Sequence, residues 1–112
     1  MRRNEGQVTD MPETFRRMSA EEFADLDYSE VTLLDLREEY EFERDGIEGS
    51  INLPMDRIGT RLSEVPKDKP VIVYCKIGLW SEAIAEVLAD RGYDAATLEG
   101  GYNKYLALAY GV

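Results

Sequence analysis

Histidine is missing from this sequence of 112 residues, and cysteine occurs once, at Cys75. Those two scarcities exclude a good deal of chemistry. Without an imidazole, Ser-His-Asp and Cys-His catalytic schemes are closed. One cysteine makes no internal disulfide, and without histidine it makes no zinc finger. A lone thiol fits a reducing compartment, so a cytoplasmic location is expected. Positive charge is also thin: 13 Lys and Arg stand against 23 Asp and Glu, for a formal charge of −10. Such an excess argues against nucleic acid or an anionic membrane as a partner. No apolar run approaches the length that spans a bilayer. The opening segment, MRRNEGQVTDMPE, has basic residues with no apolar stretch behind them, so it does not read as a secretory signal. No metal and no cofactor are expected.

What is present suits one domain with one core. Hydrophobic residues make up 44% of the chain and charged residues 32%. Residues 1–12 are polar and aperiodic and are expected to form a flexible arm, leaving 13–112 as the folded domain. FRRM, Phe15 to Met18, reads as a short edge strand. Ser19 and Glu22 form a capping box for a following helix, with Met18 and Phe23 placed as its hydrophobic staple. VTLLDL, Val31 to Leu36, reads as a buried strand. REEYEFER reads as a short helix closed by Asp45-Gly46, and GSINLP, Gly49 to Pro54, as a strand stopped by proline. Ile58, Leu62 and Val65 recur at helical spacing. VIVYC is the most strand-like segment. The pattern then predicts a helix over Ser81 to Arg91, with Ile84, Val87 and Leu88 on one face and Gly92 as its stop. AATL forms the last strand, and Tyr102, Tyr105, Leu106 and Ala109 mark a closing helix. Strands alternating with helices imply a mostly parallel α/β sheet covered on both faces.

In parallel sheets, sites form beyond the carboxyl ends of the strands. Cys75 ends the best strand and is followed by the short loop CKIGLW. Successive N–H groups in such a loop can converge on an anion, and Gly78 gives the backbone freedom the turn needs. The expected helix near Ser81 adds its unsatisfied N–H groups and positive dipole end. Both favour a thiolate, the nucleophilic form of cysteine. Lys76 is the only cation in the loop. The plainer alternative is a small buried thiol that merely ends a strand.

The stretches LLDLREEYEFERDGIEGSINLP and KDKPVIVYCKIGLWSEAIAEVLADRGYDAATLEGGYNKYLAL, taken in order, resemble a single-domain rhodanese from about Phe15 to Leu108. The likeness rests on Asp35-Leu36-Arg37 at a strand end, Gly49 to Pro54, the strand into Cys75, the loop length, and Glu99-Gly100-Gly101 before the last helix. It implies a three-layer rhodanese-like fold with a mostly parallel five-stranded sheet flanked by helices. It implies a sulfurtransferase in which Cys75 carries sulfane sulfur as a persulfide. Lys76, Ile77, Gly78, Leu79, Trp80 and Ser81 would form the substrate-binding loop. The implied partners are a small sulfur donor, thiosulfate or a persulfide, and a thiol acceptor or sulfur-carrier protein, with a monomer or weak homodimer as the assembly. A non-catalytic rhodanese-like module that binds a partner or senses oxidation is the alternative. Phosphatases of this fold have one more loop residue and an arginine closing it; here no arginine follows Cys75 until Arg91.

Several positions depart from the family pattern. Gly46 stands where a histidine is frequent, Tyr105 where a tryptophan is frequent, and Ile77, Leu79 and Trp80 where the loop is commonly polar or basic. An apolar rim suits an inorganic dianion poorly. Asp35 and Arg37 are either site residues or an ion pair that fixes the following loop, and the second reading is favoured because buried charges need partners. Glu99 is read as structural. Trp80 either recognises a ligand or packs over the site.

Overall fold

The computed structural model describes residues 15–111, so the arm expected over residues 1–12 lies outside the described region. Five strands appear within it: β1 (Arg16–Met18), β2 (Thr32–Asp35), β3 (Ile51–Asn52), β4 (Val71–Tyr74) and β5 (Ala95–Leu98). They form one sheet in the order β1-β5-β4-β2-β3, and every neighbouring pair is parallel. The helices are α1 (Ala20–Ala24), α2 (Glu39–Asp45), α3 (Ile58–Arg61), α4 (Leu79–Asp90) and α5 (Gly101–Tyr110), with 3-10 turns over Tyr28–Glu30 and Leu62–Glu64.

The pleat of the central strands divides the core. Val71 and Val73 of β4 point to one face, where Ile84, Ala85 and Leu88 of α4 and Ile58 and Leu62 around α3 cover them. Ile72 and Tyr74 point to the other, against Phe23 of α1 and Tyr102 of α5. Both faces being covered explains why β4 and β5 are buried at every position and read as continuous apolar runs. Each fully buried aliphatic side chain here contributes about 1.5–3 kcal/mol of transfer free energy.

Local signals act as expected at several ends. Ser19 Oγ accepts the Glu22 N–H and Glu22 Oε1 accepts the Ser19 N–H, so the capping box starts α1. Gly92 takes a φ of 91° after α4. β1 is an edge strand that begins at Arg16 rather than Phe15. Three expectations are corrected. α4 starts at Leu79, two residues before Ser81, because Gly78 in a left-handed conformation turns the chain into the helix earlier. Val87 is exposed, since the buried stripe of α4 runs through Ser81, Ile84, Ala85 and Leu88. The strand expected over Gly49 to Pro54 shrinks to Ile51–Asn52, where it pairs with Leu34 and Asp35. No helix among the described residues is long and apolar enough to cross a membrane.

Candidate active site

Cys75 directly follows β4, the middle strand of the five, and its sulfur looks into the turn that opens α4. Gly78 N–H points at Cys75 Sγ from 3.1 Å and Ser81 N–H from 3.4 Å. These are donors at the N-terminal end of a 12-residue helix, so the sulfur sits where the helix dipole is positive. The Cys75 thiol also reaches Ser81 Oγ at 3.6 Å, and that hydroxyl is held by Thr97 Oγ1 at 2.8 Å. Cys75, Ser81 and Thr97 are all buried.

Two glycines let the loop close this tightly. Gly78 has a φ of 94°, and a β-carbon on it would meet Gly100 N at 3.0 Å. Gly101 has a φ of 73°, and a β-carbon there would stand 2.4 Å from the Lys76 carbonyl oxygen. The start of α5 is therefore pressed against the loop. Tyr102 N–H donates to the Cys75 carbonyl at 2.9 Å, and Asn103 N–H to that of Lys76 at 3.1 Å. Glu99 is exposed, and its backbone N–H ties β5 to Met18 at 2.8 Å. Its contribution is thus to the turn, away from the sulfur.

Asp35 and Arg37 form the buried ion pair that fixes the loop after β2. Arg37 Nε and Nη2 grip Asp35 at 3.1 and 2.9 Å, while Nη1 reaches Asp45 at 2.7 Å. Burial alone would lower the Arg37 guanidinium, but Asp35 and Asp45 outweigh it and raise it, so it stays charged. Its Cζ lies over the ring of Tyr102, 4.3 Å from the centroid, and that ring stacks in turn on Tyr74 with centroids 5.0 Å apart. Asn52 Nδ2 donates to the carbonyls of Asp35 and Arg37, both at 3.0 Å.

Lys76 is half exposed and pairs with an acid at the edge of the cavity. Its Nζ lies 2.9 Å from Glu41 Oε2, and Glu41 is only 4% exposed. Burial alone would raise the Glu41 carboxyl; Lys76 and the Glu38 N–H outweigh it and hold it below the usual glutamate range. Glu41 escaped the sequence reading because it is one of six acids between residues 38 and 48. Thr97 and Tyr102 were also missed. Neither carries a local signal, since one sits within a buried strand and the other within an apolar helix pattern.

A cavity of about 360 Å³ opens over Cys75, bounded by Arg37, Glu38 and Glu41 on one side and by the loop on the other. Ile77, Leu79 and Trp80 are 57, 71 and 60% exposed, so the loop presents them at the mouth as an apolar rim. The site therefore pairs a buried sulfur, held by N–H donors, with an approach suited to an apolar body. It can hold negative charge on sulfur and deliver it to a small electrophile.

A family model for the rhodanese-like domain matches residues 15–108. A protein named sulfurtransferase from Allochromatium vinosum is 37% identical over 76 residues, covering 67% of this chain and 71% of that protein. The Bacillus subtilis protein YqhL is 34% identical over 91 residues. A tRNA sulfurtransferase from Desulfurococcus amylolyticus is 36% identical over 75 residues, but this chain spans only 15% of its length. Among solved structures, a rhodanese-related protein from Thermoplasma volcanium superposes with a TM-score of 0.77 at 28% identity, covering 84% of this chain and 93% of that one. The sulfur site, the parallel sheet that presents it and these likenesses agree: the chain belongs to the rhodanese-like domain family.

Proposed function

We propose that this protein is a sulfurtransferase that moves sulfane sulfur through a persulfide on Cys75. The observation that carries the reading is the pair of N–H groups, from Gly78 and Ser81, that converge on Cys75 Sγ. A persulfide places its charge one atom further out, within the same N–H-lined turn.

With thiosulfate as donor, the Cys75 thiolate attacks the outer sulfur. A new S–S bond forms, the donor S–S bond breaks, and its electron pair leaves with sulfite. With a hydropersulfide donor the leaving group is a thiolate. In the second half-reaction an acceptor nucleophile attacks the outer sulfur of the persulfide, and the Cys75 thiolate is the leaving group. Cyanide serves as acceptor in an assay; a thiol or a sulfur-carrier protein would serve in the cell. The Cys75 carbonyl and the loop are anchored by Tyr102 and Asn103, so the donors stay aimed through both steps. Sulfurtransferase names among the relatives support the same chemistry at the level of the family.

The second reading is a non-catalytic module that docks a partner on the exposed Ile77, Leu79 and Trp80. Intact-mass analysis after incubation with a sulfane donor separates the two. A gain of one sulfur atom, discharged by cyanide, is expected; an unchanged mass with every donor offered rejects the transferase.

A further inference from the structure

Among the described residues two cations border the cavity, and both are already committed to carboxylates. Arg37 is spread between Asp35 and Asp45, with its side chain 2% exposed. Lys76 has its ammonium on Glu41 Oε2 at 2.9 Å. Glu41 is itself anchored, because its other oxygen accepts the Glu38 N–H at 3.1 Å. An incoming dianion would have to pull Lys76 away and leave a buried carboxylate unpaired, or bind beside that carboxylate as a like charge. Either route costs free energy. An organic donor meets no such conflict, and the rim of Ile77, Leu79 and Trp80 offers its body apolar contact.

We propose that Glu41 is a specificity-determining residue: by holding Lys76 it turns the cavity away from inorganic dianions and toward sulfane donors that carry an apolar organic body. The inference rests on the sulfur-transfer reading of Cys75 and assigns the donor class at that same site. Glu41 touches neither the sulfur nor the transferring atom; it acts through the loop lysine.

Thiosulfate and benzenethiosulfonate test this, since both deliver one sulfur to a thiolate. Thiosulfate is a dianion that leaves as sulfite. Benzenethiosulfonate carries a single charge and a phenyl group and leaves as sulfinate. The parent is expected to show a lower KM for benzenethiosulfonate. Glu41→Gln keeps the size and the acceptor for the Glu38 N–H while freeing the lysine. It should lower the thiosulfate KM about ten-fold, the size of one charge-assisted contact. The KM for benzenethiosulfonate and kcat on both donors should stay within about two-fold. Adding Lys76→Met to Glu41→Gln should abolish the gain, because no cation is then released. Should the glutamine variant fail to fold, Glu41→Met removes the same charge at similar volume. An unchanged thiosulfate KM, a gain that survives Lys76→Met, or a loss of kcat on both donors at constant KM would each overturn the role of Glu41. If the parent gains no sulfur on Cys75 from either donor by intact mass, the sulfur-transfer reading falls first, and the two failures are thereby distinguished.

Discussion

Gly101 faces the backbone of Ile77 so closely that a β-carbon on it would stand 2.6 Å from Ile77 Cα. The contact joins two segments far apart in sequence, the sulfur loop and the start of α5. It explains why the Glu99-Gly100-Gly101 turn accompanies the cysteine. Gly101→Ala would have to push the loop outward and also hold alanine at a φ of 73°. A stability loss of about 1–3 kcal/mol is expected, with slower persulfide formation because the Tyr102 and Asn103 anchors shift. Thermal melts and a timed mass assay measure the two effects. A variant as stable and as fast as the parent would show that the loop yields freely.

Cys75→Ser removes the only thiol and is expected to abolish sulfur uptake and transfer. Serine is similar in size and can still engage the Gly78 and Ser81 N–H groups, so the circular dichroism spectrum should match the parent. Sulfur transfer by the folded variant would exclude the Cys75 mechanism.

The parent is expected to turn over thiosulfate and cyanide weakly, limited by donor binding. Trp80 is 60% exposed at the mouth and offers no charge to the terminal oxygens of thiosulfate. Trp80→Arg should lower the thiosulfate Michaelis constant by roughly ten-fold or more, the worth of one contact of about 1.5–3 kcal/mol. Steady-state kinetics decide it; saturation of the parent at micromolar thiosulfate would remove Trp80 from the argument.

Arg37→Leu deletes a guanidinium whose partners, Asp35 and Asp45, remain. Asp35 is fully buried, so its charge is left without compensation. A loss of about 3–5 kcal/mol is expected, read by chemical denaturation. A loss under 1 kcal/mol would mean that water or another cation replaces Arg37.

Acid should destabilise the protein through Asp45 and Glu41. Burial would raise Asp45 and Glu41, but Arg37 and Lys76 outweigh it and hold them below their ordinary values of 3.8 and 4.5. A carboxyl depressed by folding adds stability above its unfolded value, and that stability is lost as pH falls through the folded value. The melting temperature should therefore owe nothing to these two groups' titration above about pH 5.5 and fall below it. In Glu41→Gln the acid-side slope should be shallower. An equal slope would place the acid sensitivity elsewhere.

Much of the architecture was legible in the chain. Runs such as VIVY and AATL are apolar because both faces of a parallel sheet are covered, and that burial leaves a readable mark. The Ser19–Glu22 box is legible because capping is local. The position of Cys75 at a strand end, ahead of a glycine-containing loop, was legible for the same reason.

Long-range pairings left no such mark. Whether Lys76 found a partner acid depended on where α2 lay against the loop, and Glu41 looks like its exposed acidic neighbours until the chain is folded. Thr97 reaches Ser81 only because β5 lies beside β4 in the sheet. The start of α4 moved to Leu79 because Gly78 is pressed against the Gly100–Gly101 turn, a contact no spacing within the loop encodes. The sequence by itself therefore determined the apolar strands, the capping box of α1 and the place of Cys75 at a strand end. Tertiary structure decided which charges surround that sulfur, since Coulomb and hydrogen-bond energies depend on distances that only the folded chain sets.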